Sequence, residues 1–242
     1  MSSRFFVEGR HAAGDVVRLD GSDAHKIVNV LRKRDGDEIE VIDSAAQRFA
    51  ATLAIDGRTV RATLGALKTA DESAFPEITV AQGVPKGQKM DFVVEKLTEL
   101  GAARIIPLQS ERTIASEVNT NKIERWRRLA KTAAQQCGRA RITEIAGPQT
   151  LAALIEQFGT YDAVLFLWEL ADRTPLRERL PQLAAKANTV LVIIGPEGGF
   201  SHTEADAAAS AGAALVSLGE RVLRTETAGL VMLALLNYVA GG

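Results

Sequence analysis

Apolar positions change their rhythm once along the chain, near residue 72. Before that point they fall in short β-branched or alternating runs: "RFFVEG", "DVVRLD", "DEIEVID", "RFAATLAI" and "TVRATLGAL". Alternation with period two puts every second side chain on one face, so each run is predicted to be a strand. One helical pattern interrupts them, "DAHKIVNVLRK", with Asp23 as its cap and Ile27, Val30 and Leu31 as its apolar face. Five strands and a short helix within residues 1–72 predict a small β-barrel. "TADESAFP", Thr69 to Pro76, is polar, ends in proline and reads as a linker.

Over residues 73–242, continuous apolar runs alternate with helical spacing. "EITVAQG", "RIIPLQ", "YDAVLFLW", "TVLVII" and "AALVSL" read as buried strands. Between them, "KMDFVVEKLTELG" and "KIERWRRLAKTAAQQCG" read as helices stopped by Gly101 and Gly138. "TLAALIEQF", an interrupted "PLRERLPQLAAKA", "SHTEADAAASAG" and a final apolar helix complete the series. Such alternation predicts an α/β domain with a mainly parallel sheet.

Two loops in this half carry the candidate chemistry. "TVLVIIGPEGGFSHTE" is strand, glycine loop, helix, and Ser201 with Glu204 forms a capping box. "AALVSLGERVLRTETAGL" repeats the scheme with a polar loop, Leu218–Thr227. Consecutive parallel strands would expose both loops at the carboxyl edge of the sheet, facing each other across a ligand site. "GPEGG" lacks the spacing of a dinucleotide fingerprint and has no following Lys-Ser/Thr, so it is not a phosphate loop. Gly195, Gly198 and Gly199 would let backbone groups approach a flat group such as adenine, or would merely make a tight turn.

Composition narrows the class. The net charge of −1 gives no overall excess of base. A single cysteine, Cys137, excludes a disulfide framework and cannot hold zinc alone, so it is expected to be a buried small residue at a helix end. No metal cluster is apparent. The N-terminus lacks a signal-peptide core, and "AGLVMLALLNYVA" falls short of the roughly 20 residues a membrane span needs. These features predict a soluble cytoplasmic protein without membrane or metal.

"IGPEGGFSHTE" and "LGERVLRTETA", with "VVEKLTELGAARIIPLQSERT", "AAQQCGR" and "HKIVNVLR", resemble the RsmE family of small-subunit ribosomal RNA uracil-N3 methyltransferases. The resemblance spans nearly the whole chain. One departure is visible: Thr143 stands near the place where the family often has a proline. The resemblance implies a SPOUT-type α/β fold with a parallel sheet and a C-terminal trefoil knot, over residues 73–242. It also implies a PUA-like RNA-binding β-barrel over residues 1–72, a homodimer, and S-adenosylmethionine as methyl donor. The implied substrate is 16S ribosomal RNA within the assembled small subunit.

Carried onto this sequence, the family's cofactor loops fall on Gly195, Glu197, Gly198 and Gly199, and on Leu218, Gly219, Arg221, Val222, Leu223 and Thr225. Leu167, Trp168 and Glu169, at the end of an earlier strand, are expected to supply a third wall. Uracil N3 carries a proton at neutral pH, so a methylating site must remove it or stabilise the anion left on O2 and O4. Arg224 or Arg221 could supply that charge. Glu226 or Glu197 could act as base if burial raises its pKa. A salt bridge that orders the loop is the alternative role for each.

Local charge bears on RNA binding. Between Arg104 and Arg141 nine basic residues face three acidic ones, a net of +6. Arg112, Arg125, Arg127, Arg128 and Arg139 are therefore candidate phosphate contacts, against the alternative of a solvated helix face. Arg4, Arg10, His25 and Arg32 are candidates in the first 72 residues. Trp126 and Trp168 could stack on bases, although core packing suits both. Two other functions fit less of the pattern: a SPOUT ribose 2′-O-methyltransferase and a noncatalytic RNA-binding protein. The final helix is apolar around much of its circumference at Leu230, Val231, Leu233, Ala234, Leu236 and Val239, as expected where a partner subunit covers one side.

Overall fold

The computed structural model describes residues 3–57, 59–68, 76–113, 118–171, 176–184 and 187–241. The linker read at Thr69–Pro76 lies outside them except for Pro76. The chain forms two compact units, one of Met1–Glu72 with Ala134–Arg141, the other of Ser73–Ala133 with Ile142–Gly242.

In the first unit, all five alternating runs are strands: β1 (Arg4–Phe6), β2 (Val16–Leu19), β3 (Glu38–Ile42), β4 (Arg48–Asp56) and β5 (Thr59–Lys68). They form one mixed sheet in the order β1-β3-β4-β5-β2. β1 pairs with β3 in parallel, and the other pairs are antiparallel. Phe5, Ile27, Val41, Phe49 and Leu64 fill its core.

The helical pattern of this unit differs in register from the sequence expectation. α1 (Gly21–His25) begins two residues before Asp23, and its cap position is Asp20. Asp23 is instead buried, where its carboxylate accepts a hydrogen bond from Gln135 Nε2 at 3.1 Å. The chain continues as a π-turn over Lys26–Val30, closed by Leu31 N–H to the Lys26 carbonyl five residues back. That wider winding displaces the 3.6-residue register. Ile27 stays buried, Val28 and Leu31 pack against the core, and Val30 turns out to solvent at 62% exposure.

The second unit is a parallel sheet of β6 (Glu77–Gly83), β7 (Arg104–Gln109), β8 (Glu144–Ile145), β10 (Ala163–Leu167), β11 (Thr189–Ile194) and β12 (Ala214–Val216), with β9 (Gln149–Thr150) beside β7. The order is β12-β10-β11-β6-β7-β8. β8 and β9 have two residues each, too short for any periodicity to mark them. One face of the sheet packs on residues from α2 (Lys89–Glu99), α3 (Thr120–Cys137), α5 (Leu176–Ala184) and α7 (Thr225–Gly241). The other packs on α4 (Leu151–Ile155) and α6 (His202–Ser210). Both faces being covered, the strands are near-continuously apolar. α5 runs through Pro181 without a break, although the proline withholds one backbone donor.

Thr143 is buried, and its hydroxyl donates to the Ala102 carbonyl at 2.7 Å. That side-chain hydrogen bond anchors the approach to β8. Cys137 is exposed, contrary to expectation, with its thiol directed at the Ala134 carbonyl of the preceding turn. Among the described residues, no helix is long and apolar enough to cross a membrane, and no group of three or more His, Cys, Asp or Glu could hold a metal ion.

Candidate functional site

Three strands of the second unit, β10, β11 and β12, end at the same edge. β11 and β12 are not neighbours: β10 lies between them and pairs with both. The two loops read from sequence therefore meet across the end of β10, which supplies the wall between them. The cavity they enclose measures about 570 Å³, within the range of small-molecule sites. Leu167, Trp168, Glu169, Gly195, Glu197, Gly198, Gly199, Leu218, Gly219, Arg221, Val222, Leu223 and Thr225 all line it, as do Arg224 and Glu226.

The glycine loop is shaped first by the protein itself. Gly199 has φ +65°, the left-handed region that favours glycine. A Cβ on Gly195 would meet the Phe200 ring at 3.1 Å. Arg112 grips the same loop by donating from Nη1 to the Gly198 carbonyl at 3.2 Å. The capping box is present: Ser201 accepts from Glu204 N–H, and Glu204 accepts from Ser201 N–H. The second Glu204 oxygen accepts from Glu111 N–H at 3.0 Å, so the helix start is also fastened to the loop after β7.

The polar loop is shorter than the sequence suggested, because α7 begins at Thr225. Its first turn is closed by Thr227 and Ala228 N–H, both donating to the Arg224 carbonyl. That places the Arg224 side chain at the mouth of the cavity, exposed. Neither Arg224 nor Arg221 has an ion-pair partner among the described residues, so neither orders the loop by pairing with a glutamate. Leu223 is half-buried against the core, while Val222 stands 81% exposed on the rim.

Lys89, at the start of α2, was not singled out in the sequence. Its Nζ lies 3.2 Å from Glu226 Oε1 and 3.7 Å from Glu197 Oε1. Glu197 also accepts from Lys86 N–H at 2.9 Å. Burial works against ionisation of Glu197, but the Lys86 and Glu197 N–H groups and the charges of Lys89 and Lys86 outweigh it, and its pKa is lowered. The condition for Glu197 as a base, a pKa raised by burial, is therefore not met. Glu226 differs. Its Oε1 faces Lys89, and its Oε2 is buried with no hydrogen-bond partner. Trp168 Nε1 is likewise buried and unpartnered, with the ring edge-on to His202 at 5.2 Å. Trp168 and Glu226 both line the cavity, and each carries one buried polar atom without a partner.

The basic candidates separate by what already holds them. Arg4 pairs with Glu40 at 2.7 Å, and Arg125 pairs with Asp91, which also accepts from the buried Trp126. Arg127 donates to the Ile145 carbonyl at 3.4 Å. Arg139 is half-buried, and desolvation lowers its pKa. Arg10, His25, Arg32 and Arg128 are exposed, with no side-chain partner among the described residues.

A family model described as an RNA methyltransferase domain matches residues 71–237. A protein named Ribosomal RNA small subunit methyltransferase E from Mycobacterium tuberculosis is 31% identical over 237 residues, covering 95% of this chain and 88% of its own length. The protein of the same name from Bacillus subtilis is 28% identical, covering 91% and 89%. Two solved structures superpose closely. A methyltransferase from Legionella pneumophila with bound S-adenosylmethionine gives a TM-score of 0.87 at 28% identity, covering 98% of each chain. A Ribosomal RNA small subunit methyltransferase E from Neisseria gonorrhoeae, bound to S-adenosylmethionine, gives 0.84 at 26% identity, covering 99% of this chain and 98% of the other.

Proposed function

Because this chain belongs to the RNA methyltransferase family, we propose that it methylates ribosomal RNA with S-adenosylmethionine, at N3 of a uridine in the 16S RNA of the small subunit. The observation that carries this reading is the cavity at the ends of β10, β11 and β12, lined together by the glycine loop, the Leu218–Glu226 segment and Leu167–Glu169. Its volume and mixed lining suit a nucleoside with a charged tail. Leu167, Leu218 and Leu223 offer apolar surface to a base, and the glycine loop offers backbone groups to its edge.

The cofactor supplies an electrophilic methyl group on a sulfonium. This chain's residues supply the rest. Glu197, held ionised by Lys86 and Lys89, gives the cavity a fixed negative charge suited to a cationic ligand. Glu226, which lines the cavity beside Lys89, is the carboxylate that would accept the N3 proton. Arg224, with no ion-pair partner among the described residues, is available to negative charge developing on the uracil oxygens. As the methyl group bonds to N3, its bond to sulfur breaks and the sulfur keeps the electron pair. Holding base and donor in line lowers the barrier further. N3 lies on the pairing edge, so the target base has to be unstacked first.

Residues 1–72 would form a PUA-like barrel that grips RNA through Arg10, His25 and Arg32, with Arg128 acting from α3. The second unit would carry the trefoil knot. In support, α7 follows the edge strand β12 yet packs on α2, α5, β6 and β11, so the chain doubles back across the sheet. A homodimer is supported by Tyr238 on α7 and Phe92 on α2, 75% and 47% exposed on helices that pack together. Acting on ribosomal RNA would place the protein in the cytoplasm.

The deciding experiment is mass mapping of nucleosides from small subunits methylated by the purified protein. A base-methylated uridine is expected, and a ribose-methylated nucleoside would overturn the N3 assignment. Failure to bind S-adenosylmethionine in calorimetry would leave only RNA binding. Sedimentation at micromolar concentration is expected to give a dimer, and a species of 25.9 kDa alone would refute it.

A further inference from the structure

β6 reads Glu-Ile-Thr-Val-Ala-Gln-Gly, and its glutamine is an oddity. Gln82 is 0% exposed in a strand that pairs on both sides, standing between Ile194 and Pro107. A leucine or methionine would fill that volume without burying an amide. Its Nε2 donates to the Gly83 carbonyl at 3.1 Å and to Thr225 Oγ1 at 2.8 Å. The Thr225 hydroxyl, its lone pair so engaged, donates to the Gly195 carbonyl at 2.5 Å. The Gly83 carbonyl needs a donor, which fixes the amide nitrogen toward this relay and leaves Gln82 Oε1 buried and unpartnered. Two glycines make the arrangement possible. A Cβ on Gly83 would meet Pro196 N at 2.3 Å, and one on Gly229 would meet Gln82 Oε1 at 3.2 Å.

The relay joins three chain segments that the sequence places far apart. Gln82 belongs to β6, Thr225 opens α7, and Gly195 begins the glycine loop. Both of the latter line the cavity, and Gln82 does not. We propose that Gln82 is a positioning residue for the cofactor pocket. Acting through Thr225, it sets the spacing between the glycine loop and the Arg224–Glu226 segment. This rests on the cavity being the S-adenosylmethionine site. An amide retained in the core with one oxygen unpartnered is poor packing, and its donor is what the pocket requires.

The test uses the full chain with Gln82→Met and, as a second replacement, Gln82→Leu. Two readouts are taken beside the melting temperature: calorimetry with S-adenosylmethionine, and amide hydrogen exchange of ligand-free protein across residues 195–200. Gln82→Met is expected to weaken cofactor binding about tenfold, the size of one lost hydrogen bond. Exchange at 195–200 should quicken, with no fall in melting temperature. Thr225→Val should weaken binding as well, Thr225→Ser should retain it, and adding Gln82→Met to Thr225→Val should weaken it no further. Unchanged affinity and exchange in Gln82→Met, or additive effects in the double variant, would overturn the proposal. So would loss of folding in both Gln82 variants, which would make the residue a core element only. If the unaltered protein does not bind S-adenosylmethionine, the reading of the cavity fails, while exchange at 195–200 still decides the relay.

Discussion

Lys89 Nζ lies 3.2 Å from Glu226 Oε1, so the opening turn of α2 supplies the counter-charge for a carboxylate at the opening turn of α7. Both side chains line the same cavity, and the other Glu226 oxygen is buried without a partner. The pair therefore fixes the Glu226 carboxylate at the cavity wall by holding one of its oxygens.

Lys89→Met is expected to slow single-turnover methylation at least about tenfold, or roughly 1.4 kcal/mol. Lys89→Arg should recover most of the rate. Lys89 is 40% exposed, so the effect on folding should be small. A Lys89→Met enzyme as fast as the unaltered protein would remove the pair from the mechanism.

Arg224 has no carboxylate partner among the described residues, which distinguishes its two candidate roles. Arg224→Ala should lower the single-turnover rate by about tenfold to a hundredfold, roughly 1.4–2.7 kcal/mol. S-adenosylmethionine affinity by calorimetry should stay nearly constant. A parallel loss of affinity and rate would instead assign Arg224 to loop order.

Glu197 carries a pH dependence of definite sign. Its folded pKa is lowered below the ordinary glutamate value of 4.5. Its contribution to stability is therefore fully present above that value and is lost as pH falls through the folded pKa. Thermal melts of Glu197→Gln and the unaltered protein should differ most at neutral pH and converge in acid. Curves that stay parallel down to about pH 3 would contradict the ion pairing with Lys89 and the Lys86 N–H bond, since both partners favour the charged form.

Arg128 and Arg127 are neighbours on α3 with different engagements. Arg128→Ala should weaken RNA binding and reduce the slope of log K against log salt by about 0.7–0.9. Arg127→Ala should do so less, because its guanidinium already faces the Ile145 carbonyl. Filter binding across salt concentrations would separate them. Equal slopes for both variants would take Arg128 out of the RNA contact.

Much of this protein was legible in its sequence. Each of the five alternating runs before residue 72 is a strand, and the longer apolar runs after it are parallel strands. Ser201 and Glu204 announced their capping box, because that motif is closed by residues three apart. The motifs around Gly195–Phe200 and Leu218–Thr225 also named the loops that line the cavity. Period, cap and stop are local properties of the chain, so local sequence determines them.

What escaped the sequence depends on distance. A π-turn moved Val30 outward, and Cys137 ended on an exposed face, because a hydrophobic pattern does not record the helix winding or its neighbours. Nothing near Lys89 reveals Glu197 or Glu226, more than a hundred positions away. Gln82 reads as a stray polar residue until Thr225 folds against it. The sequence by itself determined the elements and the loops that carry the site. Only the tertiary structure decided that β10 stands between those loops, which carboxylate a lysine holds, and which buried polar atoms go without a partner. Those outcomes arise from contacts between segments brought together by the sheet, and such contacts leave no periodic mark on the chain.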